Sequence, residues 1–267
     1  MLTTILLGAL IGLVLAFTGA GGGVLSIPLL VLVLHRPMAE AAPVGLLAVG
    51  LAAAFGAVIG LRQGIVRYRA ALLIGLMGML AAPLGVWLAH RLPATPLLLS
   101  MAALLAWLGW RAWRDSTSSP GGEAPNLARV PCQVIAPGQP LQWTAPCARA
   151  LAATGLQSGL LSGLVGVGGG FVIVPALQRH TDLDLRSVQA TSLAVIALVS
   201  VSGVGAAMGH GAVSMALALP FAGGAVLALL IGQRWASRLS AIWMKRIFAA
   251  LCALTAMLML ARVVGWL

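Results

Sequence analysis

Six apolar runs, each about 20 residues long and so able to cross a hydrocarbon core about 30 Å thick, constrain the fold of this chain most. They cover residues 41–61, 70–90, 95–113, 188–209, 212–233 and 245–266. Only 8% of the residues are charged, whereas a soluble domain carries about 25%. The sequence therefore predicts an all-α polytopic membrane protein.

The charged residues fit this prediction in position as well as in number. All five acidic residues lie between the apolar runs or at their margins, as the cost of desolvating a carboxylate in hydrocarbon requires. The formal net charge of +11 comes from basic residues scattered through the loops. That scatter is typical of membrane orientation and unlike a nucleic-acid-binding face.

The two halves of the chain repeat one pattern at an offset of 147 residues. The repeated residues are mainly glycines, and seven of them pair as Gly8, Gly12, Gly19, Gly21, Gly22, Gly23 and Pro28 with Gly155, Gly159, Gly166, Gly168, Gly169, Gly170 and Pro175. Such register indicates a duplication. We interpret residues 1–114 as a first membrane repeat, 115–148 as a polar linker and 149–267 as a second membrane repeat.

Three adjacent glycines in each repeat predict a broken helix. Each glycine costs a helix about 1 kcal/mol relative to alanine, and a break at membrane depth is tolerated only against protein or a watery cavity. Helices restarting at Val24 and Phe171 would present N–H groups and positive dipole ends to an anion. The alternative is that these glycines only allow close helix packing.

Hydroxyl groups near the breaks could add further donors for an oxyanion. Thr191 and Ser192 open the next apolar run of the second half, although ordinary helix capping is the alternative role. In the first half the matching place reads Ala42-Pro43-Val44. The candidate substrate-binding residues are Gly21, Gly22, Gly23, Ser26, Pro28, Gly168, Gly169, Gly170, Pro175, Thr191 and Ser192.

Basic residues favour one topology over another, because cytoplasmic loops collect Lys and Arg. A single crossing by residues 2–34 splits the sixteen basic residues evenly, whereas a segment that enters and returns leaves only Arg36, Arg91 and Arg262 on the second side. We therefore expect inverted repeats, each a re-entrant helical hairpin followed by three transmembrane helices. The linker would be cytoplasmic and both termini outside. If the broken segment crossed the membrane twice in full, the loops would lie on the same sides.

Other site chemistries are not indicated. Neither glycine triplet is followed by Lys-Ser or Lys-Thr, and neither fits a dinucleotide fingerprint, so no enzyme and no cofactor are expected. The cysteine spacing indicates no metal site and no disulfide, so Cys132 and Cys147 are expected to be free thiols. The expected partners are a small anion and the lipid bilayer, with no nucleic acid; a homodimer stays open.

The paired glycine segments resemble those of the sulfite exporter TauE/SafE family. Each has a GxGGG segment followed five residues later by proline, and the second copy continues into Ala190-Thr191-Ser192-Leu193, similar to that family's Ala-Thr-Ser-Leu segment. The resemblance covers nearly the whole chain outside 115–148, and the first half departs from it at Pro43 and Val44. It implies secondary transport, often export, of sulfite or organosulfonates.

We therefore expect an inner-membrane transporter that exports sulfite, sulfoacetate or another organosulfonate by alternating access. Two alternatives stay open: an importer of thiosulfate or another sulfur anion, and a membrane scaffold that transports nothing.

Overall fold

The structure is a computed structural model that describes residues 1–19, 21–35, 37–117, 132, 144–166, 168–208, 214–236 and 241–264. Within these residues the chain forms ten helices. They are α1 (Leu2–Thr18), α2 (Gly21–Val33), α3 (Met38–Arg62), α4 (Tyr68–Arg91), α5 (Ala94–Thr117), α6 (Ala145–Val165), α7 (Gly170–His180), α8 (Leu185–Met208), α9 (Met215–Ala236) and α10 (Ala241–Val264).

Five of the described helices are long and apolar enough to cross a membrane, as judged from length and composition. The spans are Glu40–Arg62, Tyr68–Ala89, Thr95–Arg114, Leu185–Met208 and Met215–Arg234. They match five of the six predicted apolar runs. The sixth run lies in α10, whose described apolar stretch, Arg246–Ala261, is shorter. An all-helical, multi-pass membrane protein is confirmed at this level.

Glycines end the first helix of each half. Gly19 has φ 70° and donates its N–H to the Leu15 carbonyl at 2.9 Å. Gly166 has φ 71° and donates to the Ser162 carbonyl at 2.7 Å. A left-handed residue at this place closes a helix by bonding a free carbonyl, and glycine adopts it without strain. Both breaks therefore lie in the predicted glycine segments. Triplet residues form the break only in the second half, whereas the first triplet belongs to the helix that follows the break.

The helix after the first break begins earlier than predicted. α2 starts at Gly21 instead of Val24, because the Thr18 hydroxyl accepts a hydrogen bond from the Gly21 N–H at 2.7 Å. That contact takes up a donor in the first helical turn, where N–H groups lack partners inside the helix. In the second half α7 starts at Gly170, one residue before the predicted Phe171.

Small residues let helices from the two halves approach closely. α1 packs along α9 where Gly8 meets Phe221, and α4 packs along α6 where Gly155 meets Ile74. α3 runs antiparallel to α8, with Gly50 against Ser200. In membranes, packing at small residues replaces the hydrophobic effect as a source of helix association.

Contacts made in one half recur in the other at the 147-residue offset. Four pairs correspond in this way: Gly8–Phe221 with Gly155–Ile74, Gly12–Ala225 with Gly159–Gly78, Gly22–Ile11 with Gly169–Ser158, and Gly56–Leu193 with Gly203–Leu46. Helix bounds recur at the same offset, so that α1 to α5 correspond in order to α6 to α10.

The prediction of free thiols in the linker is wrong. Cys132 and Cys147 form a disulfide, with their Cα atoms 5.0 Å apart. Cys132 also donates its backbone N–H to the His180 carbonyl at 3.1 Å, at the end of α7. The cysteine spacing along the chain could not show this proximity, because packing against α7 creates it. Most of the linker lies outside the described residues.

Candidate functional site

The first glycine break connects α1 to α2 and is buried. Gly21, Gly22 and Gly23 form the first turn of α2, and Ser26 and Pro28 lie in the same buried helix. The Ser26 hydroxyl donates to the Gly23 carbonyl at 2.7 Å. The predicted residues of this triplet are therefore together at a helix N-terminus, where N–H groups without intrahelical partners concentrate.

Side chains from the start of α8 close the carbonyl side of this break. The Ser192 hydroxyl lies 2.8 Å from the Gly19 carbonyl oxygen and 2.8 Å from that of Gln189. The Gln189 side-chain amide donates to the Phe17 carbonyl at 3.1 Å. These bonds satisfy the carbonyls that the end of α1 leaves without intrahelical partners.

Thr191 does not share this contact. Its hydroxyl accepts a hydrogen bond from the backbone N–H of Arg67 at 3.1 Å, in the connection between α3 and α4. The side-chain Nε of Arg67 is buried and has no hydrogen-bond partner among the described residues. The structure thus places Thr191 and Ser192 at two different contacts, although they are neighbours in the sequence.

The second glycine break, which connects α6 to α7, departs further from helical geometry than the first. Gly166, Gly168 and Gly169 all have positive φ, at 71°, 75° and 66°, whereas Gly19 alone does among the described residues of the first break. Gly170 begins α7, and Pro175 lies within that helix. The glycines of this predicted group are buried and adjacent.

The second break lies between the long helices α3 and α8. A Cβ atom built on Gly168 would lie 3.2 Å from Ile196 Cγ2 and 3.6 Å from Val49 Cγ1. One built on Gly166 would lie 2.7 Å from Ile27 Cδ1, a side chain of α2. Helices of both halves therefore surround this break.

Two of the glycines are also packing points. A Cβ atom on Gly22 would lie 2.5 Å from the Ile11 carbonyl oxygen, and one on Gly169 would lie 2.6 Å from that of Ser158. Each short helix thus begins in backbone contact with the helix before it. Close packing is established at these two positions, and it does not test whether their N–H groups bind an anion.

Sequence reasoning missed three residues that the structure brings to the breaks: Gln189, Ser200 and Phe248. Gln189 and Ser200 are polar residues within an apolar run, and that contrast could have drawn attention to them. Phe248 lies against Gly21 from α10. No local pattern marks that contact, because 227 residues separate the two positions along the chain.

Comparison with known proteins assigns the chain to a family. The family model described as sulfite exporter TauE/SafE matches residues 4–259. The chain belongs to the sulfite exporter TauE/SafE family. The match extends over both glycine breaks of this TauE/SafE chain and over all of its candidate spans.

Two curated relatives of this TauE/SafE protein come from Xylella fastidiosa, and both are named probable membrane transporter protein. The relative from strain Temecula1 is 27% identical over 247 residues, which cover 90% of this chain and 87% of the relative. The relative from strain 9a5c is 28% identical over 243 residues, with the same coverage. No solved structure matches the chain. The family and these names are those of membrane transporters.

Proposed function

We propose that this protein is a secondary transporter that exports a small sulfur-containing anion across the inner membrane by alternating access. Sulfite, sulfoacetate and other organosulfonates are the substrates we favour. The observation that carries the proposal is the pair of buried glycine breaks, each of which starts a short helix with N–H groups facing protein rather than lipid. Membrane proteins accept such irregular backbone only where it is buried in protein or lines a cavity.

The chemistry of the breaks supports an anion as substrate. A helix N-terminus carries a partial positive charge and N–H donors, which together bind anions without a basic side chain. The apolar runs contain no carboxylate that would coordinate a cation. The breaks would therefore bind an oxyanion through N–H groups of the two triplets. Ser26 and Ser192 would contribute their hydroxyls only after releasing the carbonyls of Gly23 and Gly19, and Thr191 would do so from its contact with Arg67.

Inverted repeats would give such a site two alternating openings. The corresponding contacts of the two halves support this arrangement, because α1 pairs with α9 of the other half as α6 pairs with α4. In transporters with inverted repeats, one repeat rocks against the other around a site near the bilayer midplane. The two breaks are the elements we assign to that site.

Re-entrant hairpins are the membrane topology we propose for α1–α2 and α6–α7. α2 has 13 residues and α7 has 11; at 1.5 Å per residue these helices are about 20 Å and 16 Å long, too short for a core of about 30 Å. The contact between Gly22 and Ile11 indicates that α2 folds back along α1. Each half then crosses the membrane three times in full.

A flux assay tests the proposal. We expect purified protein in proteoliposomes to move sulfite, sulfoacetate or thiosulfate across the bilayer faster than protein-free vesicles do. A scaffold would move none of the three anions, and that result would remove the proposed function. Loading vesicles from one side or the other, with imposed ion or proton gradients, separates export from the thiosulfate-import alternative.

A Gly21→Ala variant links the flux to the first break. The new methyl group would lie 2.5 Å from the Phe248 ring, a side chain that can move, and close to the Thr18 hydroxyl, instead of meeting a backbone carbonyl. We expect a weaker apparent affinity for the anion with unchanged amounts of folded protein in the membrane. Normal affinity in this variant would remove Gly21 from the binding site.

A further inference from the structure

We propose that the second glycine break is the principal anion site, and that the hydroxyls of Ser162 and Ser200 bind the anion there with the N–H groups of Gly168, Gly169 and Gly170. This inference rests on the proposed transport function. It assigns the substrate to one of two similar breaks and adds two ligands to those predicted from the sequence.

Buried hydroxyls on the helices of this protein ordinarily donate to a carbonyl one turn earlier. Thr154 donates to Ala150 at 2.8 Å, Ser158 to Gly155 at 3.1 Å and Thr255 to Leu251 at 2.7 Å. The Ser162 and Ser200 hydroxyls, on residues 0% and 2% exposed, have no partner among the described residues. Buried polar groups are nearly always paired in native proteins. We therefore expect a bound ligand to accept hydrogen bonds from these two hydroxyls.

Both serines lie beside the second break. Ser162 is one turn before the end of α6, and its own carbonyl accepts the Gly166 N–H. The Ser200 Oγ lies 4.0 Å from a Cβ atom built on Gly168. Ser200 also packs against Gly50 near the midpoint of α3. A ligand between these groups would be held deep within the helix bundle.

The second break also offers backbone N–H groups. Among the described residues, no carbonyl or hydroxyl accepts a hydrogen bond from the N–H groups of Gly168, Gly169 or Gly170. Gly169 precedes the N-terminus of α7 and Gly170 begins that helix. Adjacent free N–H groups at a helix start bind the oxygens of an anion.

The first break lacks the unpaired hydroxyls of the second. The positions that correspond to Ser162 and Ser200 at the 147-residue offset are Leu15 and Ala53, both apolar and fully buried. At this break the Gly21 N–H bonds to Thr18, and the Gly19 carbonyl lies within hydrogen-bond distance of Ser192. These polar groups of the first break have partners within the protein, whereas the hydroxyls of Ser162 and Ser200 have none among the described residues.

Alanine variants of the two serines test the assignment. We expect Ser162→Ala and Ser200→Ala to raise the KM for sulfite about tenfold each in proteoliposomes, the loss typical of one hydrogen bond to a charged group. The matched control is Ser158→Ala, one turn earlier on α6, whose hydroxyl already bonds the Gly155 carbonyl. The KM of this variant should stay within about twofold of the wild-type value, because the substitution removes only a hydrogen bond within α6.

Thermal unfolding separates binding from a structural role. Sulfite should raise the Tm of the wild-type protein, because a ligand that binds only the folded state stabilises it. In both variants we expect this rise to be smaller at the same sulfite concentration, while the Tm without sulfite stays equal or increases, because an unsatisfied buried hydroxyl has been removed. A buried water molecule is the competing occupant of the site.

Each outcome has a distinct meaning. If wild-type protein transports sulfite and the two variants keep both its KM and the sulfite-dependent rise in Tm, the second-break assignment is overturned and the transport function stands. An equal defect in Ser158→Ala would overturn the assignment as well. If wild-type protein moves none of sulfite, sulfoacetate and thiosulfate, the proposed function itself fails, and this inference fails with it.

Discussion

At the residue scale, the glycines of the two breaks do different things. Gly22 and Gly169 face the backbone of the preceding helix, whereas Gly21 and Gly168 face side chains. A backbone carbonyl cannot move aside as a side-chain tip can, so the two classes should respond differently to substitution. Packing and anion binding, which are alternatives for the motif as a whole, can therefore be assigned position by position.

We expect Gly22→Ala and Gly169→Ala to destabilise the protein by about 1–3 kcal/mol, the range for overpacked sites. The new methyl groups would lie 2.5 Å and 2.6 Å from the carbonyl oxygens of Ile11 and Ser158. Thermal unfolding of the detergent-solubilised protein measures the effect. Gly223→Ala is the matched control, because a Cβ atom there meets nothing within 4 Å. Equal stability of Gly22→Ala and the control would contradict the packing assignment.

The sequence could predict the two glycine segments that contain the breaks, but not which residues of the first segment are helical or how the polar groups are satisfied. The triplets and prolines stand out by type and by the 147-residue register. The partners do not, because Ser192 reaches Gly19 across 173 positions and Gln189 reaches Phe17 across 172. Hydrogen bonds between helices so far apart along the chain depend on packing, which periodicity does not encode.

At the element scale, the helices fall into two groups by length: the long apolar helices that can span a membrane, and the short helices α2 and α7 that follow the breaks. The five long apolar helices were predicted from their composition, since spanning a bilayer leaves few other choices. The start of α2 was predicted three residues late, because the Thr18 hydroxyl extends the helix backwards to Gly21. Local capping of this kind decides helix ends, and hydrophobic pattern decides only that a helix exists.

The proposed re-entrant hairpin of α1 and α2 makes a topological prediction. We expect cysteines introduced as Leu2→Cys and His35→Cys to react with a membrane-impermeant maleimide from the same side, and Gln63→Cys to react from the opposite side. All three positions are exposed. The background carries Cys132→Ser, Cys147→Ser and Cys252→Ser. Labelling of positions 2 and 35 from opposite sides would mean a single crossing and would rule out the hairpin.

At the scale of the whole molecule, two observations favour opposite orientations. With the proposed hairpins, only Arg36, Arg91 and Arg262 of the sixteen Lys and Arg residues fall on the face opposite the linker. That bias places the linker face in the cytoplasm. Disulfides, however, persist mainly in oxidising compartments, and the bond between Cys132 and Cys147 favours the outer face.

We expect the charge bias to prevail, because with the proposed hairpins it sums over thirteen basic residues on one face of the protein. Gln63→Cys, on the same face as the linker, should then be labelled in inverted vesicles and protected in right-side-out ones. Native membranes, rather than reconstituted ones, are required, since reconstitution randomises orientation. The reverse pattern of labelling would show the opposite orientation, with the linker and its disulfide on the outer, oxidising side of the membrane.

The disulfide has a mechanical consequence that differs between the two halves. Cys147 lies in the first turn of α6, and Cys132 bonds the end of α7 through the His180 carbonyl. The start of α6 and the end of α7 are thus linked through Cys132 by a disulfide and a backbone hydrogen bond. Residues 1–131 contain no cysteine, so no disulfide links α1 to α2. The disulfide therefore adds a cost to separating α6 from α7 that has no counterpart between α1 and α2.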